Sequence, residues 1–152
     1  MDIGGVIRTR FDKTKSIEEY LAATPLKQAS EVIGNIINLC GADNTFIISK
    51  CPLYAENVIM KWLDSQNFFT DIGFISSNVY FCRERTDKAQ IAKQLSLTHF
   101  IDDRVEVLDA MQDTVSNRIL FTGGGNHEKS DDKTIISLDS WDSVQDYIAK
   151  TV

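Results

Sequence analysis

Met1-Asp2-Ile3-Gly4-Gly5-Val6-Ile7 sets an aspartate ahead of a glycine pair and two β-branched residues, the pattern of a strand end that turns sharply. A carboxylate at such a turn stands at the mouth of a sheet. Whether it serves a site depends on what the other strand ends bring beside it, so the chain is read outward from here.

Thr45-Phe46-Ile47-Ile48-Ser49 and Val79-Tyr80-Phe81-Cys82 are apolar, partly β-branched runs too short for helices, as expected of strands buried on both faces. His99-Phe100-Ile101-Asp102 predicts a fourth strand that ends in a carboxylate pair with Asp103. Ile119-Leu120-Phe121 predicts a fifth, stopped by Gly123-Gly124-Gly125, and Thr134-Ile135-Ile136 a sixth. Helical patterns fill the intervals. Thr24 as N-cap and Pro25 at the first helical position open a helix whose Leu26, Ala29, Val32, Ile33, Ile36, Ile37 and Cys40 recur at helical spacing up to Gly41. Pro52 opens another, with Ala55, Val58, Ile59, Trp62 and Leu63 on one face before Asn67. Thr86 is the expected cap of a helix through Leu95; Val105, Leu108 and Met111 mark the next, and Trp141, Val144 and Ile148 the last. Ser16 caps a short helix reaching Leu21, residues 8–15 read as a loop or small flap, and residues 126–133 as a solvated connection. Residues 68–78 show no clear period.

Strands alternating with helices mean βαβ units, hence an α/β fold: a three-layer, Rossmann-like parallel sheet with helices on both faces. Ligands then bind at the carboxyl ends of the strands. The 152 residues, 43% hydrophobic and 25% charged, suffice for one core, so a single domain over residues 1–152 is expected. A formal net charge of −6 argues against a surface that coats nucleic acid or a basic membrane patch. Cys40, Cys51 and Cys82 show no CxxC spacing and are odd in number, which points to a reducing compartment rather than a disulfide framework or zinc site. No apolar run approaches the roughly 18 residues of a membrane span and no leader is evident, so a cytoplasmic location is expected.

The residues at the predicted strand ends are Asp2, Ser49, the loop 83–88, and Asp102 with Asp103. That set, in that order, resembles the haloacid dehalogenase-like superfamily of phosphohydrolases over nearly the whole chain. Asp2-Ile3-Gly4-Gly5-Val6 is similar to its first motif, Asp-x-Asp-x-Thr/Val; Ser49 ends the second-motif strand; Lys88 holds the third-motif position; and Phe100-Ile101-Asp102-Asp103 is similar to the Asp-Asp form of the fourth. The resemblance implies catalytic roles for Asp2, Ser49 and Lys88, with Asp2 attacking phosphorus to form an aspartyl-phosphate that water hydrolyses. It implies Mg2+ on Asp2, the backbone carbonyl of Gly4 and Asp102, with Asp103 acting through water. Ser49 and Lys88 would offset charge growing on the transferring group. Gly5, Ser49, Lys50, Arg8 and Arg83 are the expected substrate-binding residues. A thiol mechanism at Cys51 is disfavoured, because neither His99 nor His127 is placed to activate it.

Two departures from the family pattern stand out. Gly4 occupies the position of the second aspartate, the general acid for the leaving group, whose loss typically costs about 10²- to 10⁴-fold. Only Met1 precedes Asp2, so the central strand is expected to be short or the natural chain to begin upstream. The 46 residues between Asp2 and Ser49 and the 38 between Ser49 and Lys88 are already used by core elements, which leaves no room for a large cap. The resemblance then implies a capless member with an open site, which in the family often goes with bulky substrates or a homo-oligomer whose neighbouring subunit acts as lid. Arg8, Arg10, Lys13, Lys15, Lys50, Arg83, Arg85, Lys88 and Arg104 gather at the expected rim, favouring a phosphorylated small molecule or phosphorylated polymer end. The expected activity is a magnesium-dependent phosphohydrolase; the alternative is an inactive domain of the same fold that binds a phosphorylated ligand or a protein partner.

Overall fold

The carbonyl of Ile3 accepts hydrogen bonds from the amides of Val6, Ile7 and Arg8, at 3.3, 2.9 and 3.1 Å, so the chain makes one tight turn directly after Asp2. Gly5 lies inside it at φ +80°, a conformation that L side chains adopt only at a cost. The structure, a computed structural model, describes residues 1–10 and 14–152.

The protein is a mixed α/β molecule whose parallel strands form two small sheets flanked by helices. β1 (Ile47–Lys50) pairs with β2 (Val79–Cys82), and β3 (His99–Asp102), β4 (Asn117–Phe121) and β5 (Ile135–Leu138) follow one another in the second sheet. Residues 1–3 are not a regular strand, as expected of the first one, yet they run between the sheets. The Met1 amine donates to the Phe46 carbonyl at 2.9 Å, the Ile48 amide to Met1 at 3.0 Å, and the Asp2 amide to Ile101 at 2.9 Å.

Alternate strand residues supply two apolar clusters. Ile47, Ile101, Ile119 and Phe121 join α1 (Ile17–Ala22), α2 (Ala29–Cys40), α3 (Glu56–Ser65) and α6 (Trp141–Thr151). Ile48, Phe100 and Leu120 join α4 (Asp87–Gln94) and α5 (Val105–Ala110). This period of two is why the strands read as unbroken apolar runs: both of their faces are covered.

Some boundaries differ from the sequence reading. Ser16 caps α1 in a full capping box with Glu19, as its spacing predicts. α2, by contrast, begins at Ala29 rather than Pro25, because the Leu26 amide is drawn into a 2.7 Å bond with the Ile7 carbonyl and residue 28 turns at φ +65°. Pro52 leads into a 3₁₀ turn, Leu53–Ala55, that runs on into α3. Thr86 precedes α4 without a capping bond; the Asp87 carboxylate instead accepts the Glu84 amide at 3.0 Å. Among the described residues no helix is long and apolar enough to cross a membrane.

Candidate functional site

The N-terminal segment, β1, β3 and the start of α4 each bring a polar residue to a common edge. Asp2 precedes the Ile3 turn, Ser49 lies in the last half of β1, Asp102 ends β3, and Lys88 sits in the first turn of α4, just past β2. Lys88 is only 2% exposed, far more buried than a lysine on a solvated helix face. Its ammonium lies 2.7 Å from Asp102 Oδ2 and 3.0 Å from Asp2 Oδ1. Burial alone would lower the Lys88 pKa, but the two carboxylates more than offset it and raise it, so the charged form is held.

Asp102 is fully buried and its other oxygen accepts the Arg104 amide at 3.0 Å. Burial pushes its carboxyl up, against the pull of Lys88. Asp103 is buried as well; burial raises its pKa, opposed by Arg10, whose Nε donates to Oδ2 at 2.6 Å. Asp2 Oδ1 is buried and makes no aligned hydrogen bond, its contact with Lys88 being electrostatic. Asp2, Asp102 and Asp103 can each bring one carboxylate oxygen within 4.8 Å of the others. Trans oxygens on a magnesium ion stand about 4.2 Å apart, twice the usual metal–oxygen distance, so small rotations suffice for these three to hold a hard cation. Three carboxylates converging beside Lys88 and Arg10 are the hard oxygen donors that suit such an ion.

The glycines shape this edge. A Cβ on Gly5 would overlap the Asp103 carboxylate, and one on Gly124 would overlap the Gly5 backbone. Gly4 is different: its nearest neighbour for a Cβ is the Arg10 Cα at 3.9 Å, and its φ is not positive. Its missing side chain is therefore not forced by packing.

A cleft of about 670 Å³ opens beside the carboxylates, lined by Asp2, Gly4, Ser49, Lys50, Lys88 and Asp103 among others. Seven basic side chains line it against the acidic Asp2 and Asp103, a local reversal of the chain's net charge of −6. Most are already engaged. The Arg8 guanidinium donates to the Tyr20 carbonyl at 3.0 Å and lies 3.8 Å from the Tyr20 ring centre and 4.9 Å from that of Trp62. Arg83 bridges the Cys51 carbonyl, at 2.9 Å, and Glu56. Arg85 pairs with Glu106 and Arg104 with Glu128. Lys50 is exposed, lines the cleft and makes no ion pair among the described residues. Of the other expected rim residues, Lys15 lies off the cleft and Lys13 outside the described residues. Burial pushes the thiols of Cys51 and Cys82 up to about 11, which keeps them protonated at neutral pH and unsuited to nucleophilic attack.

Two supports escaped the sequence reading. Arg10 was legible only as one of several rim cations, yet it clamps Asp103 across 93 positions of chain. The loop after the glycine triplet, expected to be a solvated connection, is anchored to the site: Asn126 donates to the Asp103 carbonyl, and Glu128 accepts from the Val105 amide at 2.8 Å. No protein-family model matches the chain, and no curated protein matches it in sequence.

Proposed function

We propose that the protein is a magnesium-dependent phosphohydrolase of the haloacid dehalogenase-like type, acting on an anionic phosphorylated substrate through an aspartyl-phosphate on Asp2. The observation that carries this reading is Lys88, buried between Asp2 and Asp102 at the edge of a basic cleft. An ammonium held charged against a carboxylate nucleophile is what transfer of a dianionic group requires. The backbone bonds from residues 1–3 to Phe46, Ile48 and Ile101 support a single three-layer sheet in the order β2, β1, residues 1–3, β3, β4, β5. In that order Asp2 lies where the connections diverge to opposite sides, the usual ligand position of a Rossmann-like, capless domain.

Asp2, Asp102 and Asp103 would hold magnesium, which supplies charge neutralisation for the attack. Asp2 attacks phosphorus in line. Lys88 fixes the attacking carboxylate and stabilises charge on the phosphoryl oxygens, while Ser49 lies in the cleft beside it. Water then hydrolyses the acyl phosphate. Phosphate release from a panel of phosphomonoesters should require magnesium and vanish in Asp2→Asn. Magnesium should also raise Tm well beyond sodium at equal ionic strength, since the carboxylates converge only in the folded chain. Turnover surviving in Asp2→Asn would refute the covalent mechanism. Gly4 favours one other reading, a phospho-ligand-binding domain without turnover; binding of phosphate with magnesium in the absence of hydrolysis would select it.

A further inference from the structure

We propose that the cleft selects aryl phosphates, monoesters whose leaving group is a phenolate, an inference that rests on the phosphohydrolase reading above. Two independent features converge on this class. The first concerns the leaving group. Among the described residues lining the cleft the only carboxylates are Asp2 and Asp103, and no histidine is present. Asp2 is the nucleophile and Asp103 is clamped by Arg10. Gly4 contributes no side chain, although there is space for one. No carboxylic acid or imidazole is left to protonate a departing oxygen. An alkoxide, whose conjugate acid is about as weak as water, needs that proton. A phenolate, with a conjugate acid near pKa 10, leaves without it.

The second feature is the wall. Directly after Ser49 and Lys50 the chain presents Pro52, Tyr54, Ala55 and Val58 to the cleft, and Ile17 reaches it from α1. Tyr54 is 82% exposed and Ile17 58%, large apolar groups left in water beside a basic rim. A ring on the Tyr54 face buries that surface while the phosphoryl group meets Lys88. In the chemical step a P–O bond forms to Asp2 and the P–O bond to the aryl oxygen breaks. The electron pair leaves on the phenolate, which takes its proton from solvent. Water then attacks phosphorus, the Asp2–phosphorus bond breaks, the carboxylate is regenerated, and the water's proton leaves with phosphate or solvent.

Four substrates separate the two features: phenyl phosphate has both ring and stable leaving anion, acetyl phosphate only the anion, benzyl phosphate only the ring, and glycerol phosphate neither. With magnesium, kcat/KM for phenyl phosphate should exceed that for benzyl phosphate, and exceed that for glycerol phosphate by about 10²- to 10⁴-fold. Tyr54→Ala should shrink the phenyl-over-acetyl ratio about 10-fold, mainly through KM. Gly4→Asp should raise benzyl and glycerol phosphate turnover and narrow the phenyl-over-benzyl ratio, with Tm read beside it to confirm folding. Hydrolysis of the panel with no preference for phenyl phosphate, or a phenyl-over-acetyl ratio indifferent to Tyr54, overturns the aryl assignment while leaving the phosphohydrolase intact. If no member is hydrolysed by the wild type, both readings fall.

Discussion

Lys88 and Arg118 are both buried cations, 2% and 3% exposed, and both meet carboxylates, but they are buried for different ends. Arg118 donates to the Leu108 carbonyl at 3.0 Å, to Asp132 at 2.9 Å and to the Thr134 hydroxyl. Asp132 in turn accepts the Thr134 amide at 2.8 Å and its hydroxyl at 2.6 Å. Every charge there has its partner, and none of its members lines the cleft beside Asp2 and Asp103. Lys88 instead meets a group of three converging carboxylates, one oxygen of Asp2 lacking an aligned bond, with Asp2 and Asp103 lining a cleft. A closed network staples the fold. An open one, costly to bury and not fully bonded, marks a candidate site.

Replacing each cation by methionine should separate the two cases most sharply. Lys88→Met removes the positive charge between Asp2 and Asp102; turnover should fall about 10²- to 10³-fold, and stability by about 3–5 kcal/mol, partly restored by magnesium. Arg118→Met leaves the Leu108 carbonyl without its donor and should cost about 1–3 kcal/mol, with turnover per folded molecule unchanged and no recovery in magnesium. Denaturant titrations with and without magnesium, beside phosphate release, check this. Equal losses of turnover in both variants would erase the distinction between staple and site.

A smaller effect compares two glycines at the same φ of +80°, Gly5 against Asp103 and Gly73 with nothing near a Cβ. Gly73→Ala should cost about 1 kcal/mol, the backbone penalty alone. Gly5→Ala should cost more and also depress turnover, because its methyl displaces the Asp103 carboxylate. Similar Tm losses and unchanged turnover in both would mean that Asp103 moves freely and is no fixed part of the site.

The smallest effect belongs to Asp132, whose bonds from the Thr134 hydroxyl and amide, and then from Arg118, pull its carboxyl down to about 2 from 3.8. A depressed folded pKa contributes stability above the unfolded value that is lost as pH falls through the folded one. Wild type should therefore lose stability relative to Asp132→Asn between about pH 4 and pH 2, with the two profiles parallel at higher pH. Since the Asp132 carboxylate is only half-buried, the difference should be small. Parallel profiles down to pH 2 would remove the carboxylate's part in the staple.

Elements were legible where local pattern suffices. Val79–Cys82 and His99–Asp102 are strands at the expected residues, because a parallel strand covered on both faces is written as a short apolar run bounded by polar ones. The capping box at Ser16 is equally local. The start of α2 was not, since a proline preceded by threonine has the signature of a helix N-terminus, and only the distant Ile7 carbonyl draws Leu26 away from it. The Arg118 network left no signal at all, as its members at 108, 118, 132 and 134 carry no motif.

By itself the sequence determined that strands and helices alternate and that Ser49 and Asp102, with Asp103 after it, fall at strand ends; it placed Asp2 at a strand end too, where the structure has a tight turn without a regular strand. Periodicity and turn chemistry are properties of neighbouring residues, so they survive without coordinates. Only the tertiary structure decided that Lys88 is buried against Asp2 and Asp102 while Arg8 is stacked on Tyr20, that Arg10 holds Asp103, and that Gly4 has room its neighbour Gly5 lacks. Partners separated by 12 to 93 positions meet through packing of elements between them, and the strength of a charge depends on the burial that packing creates.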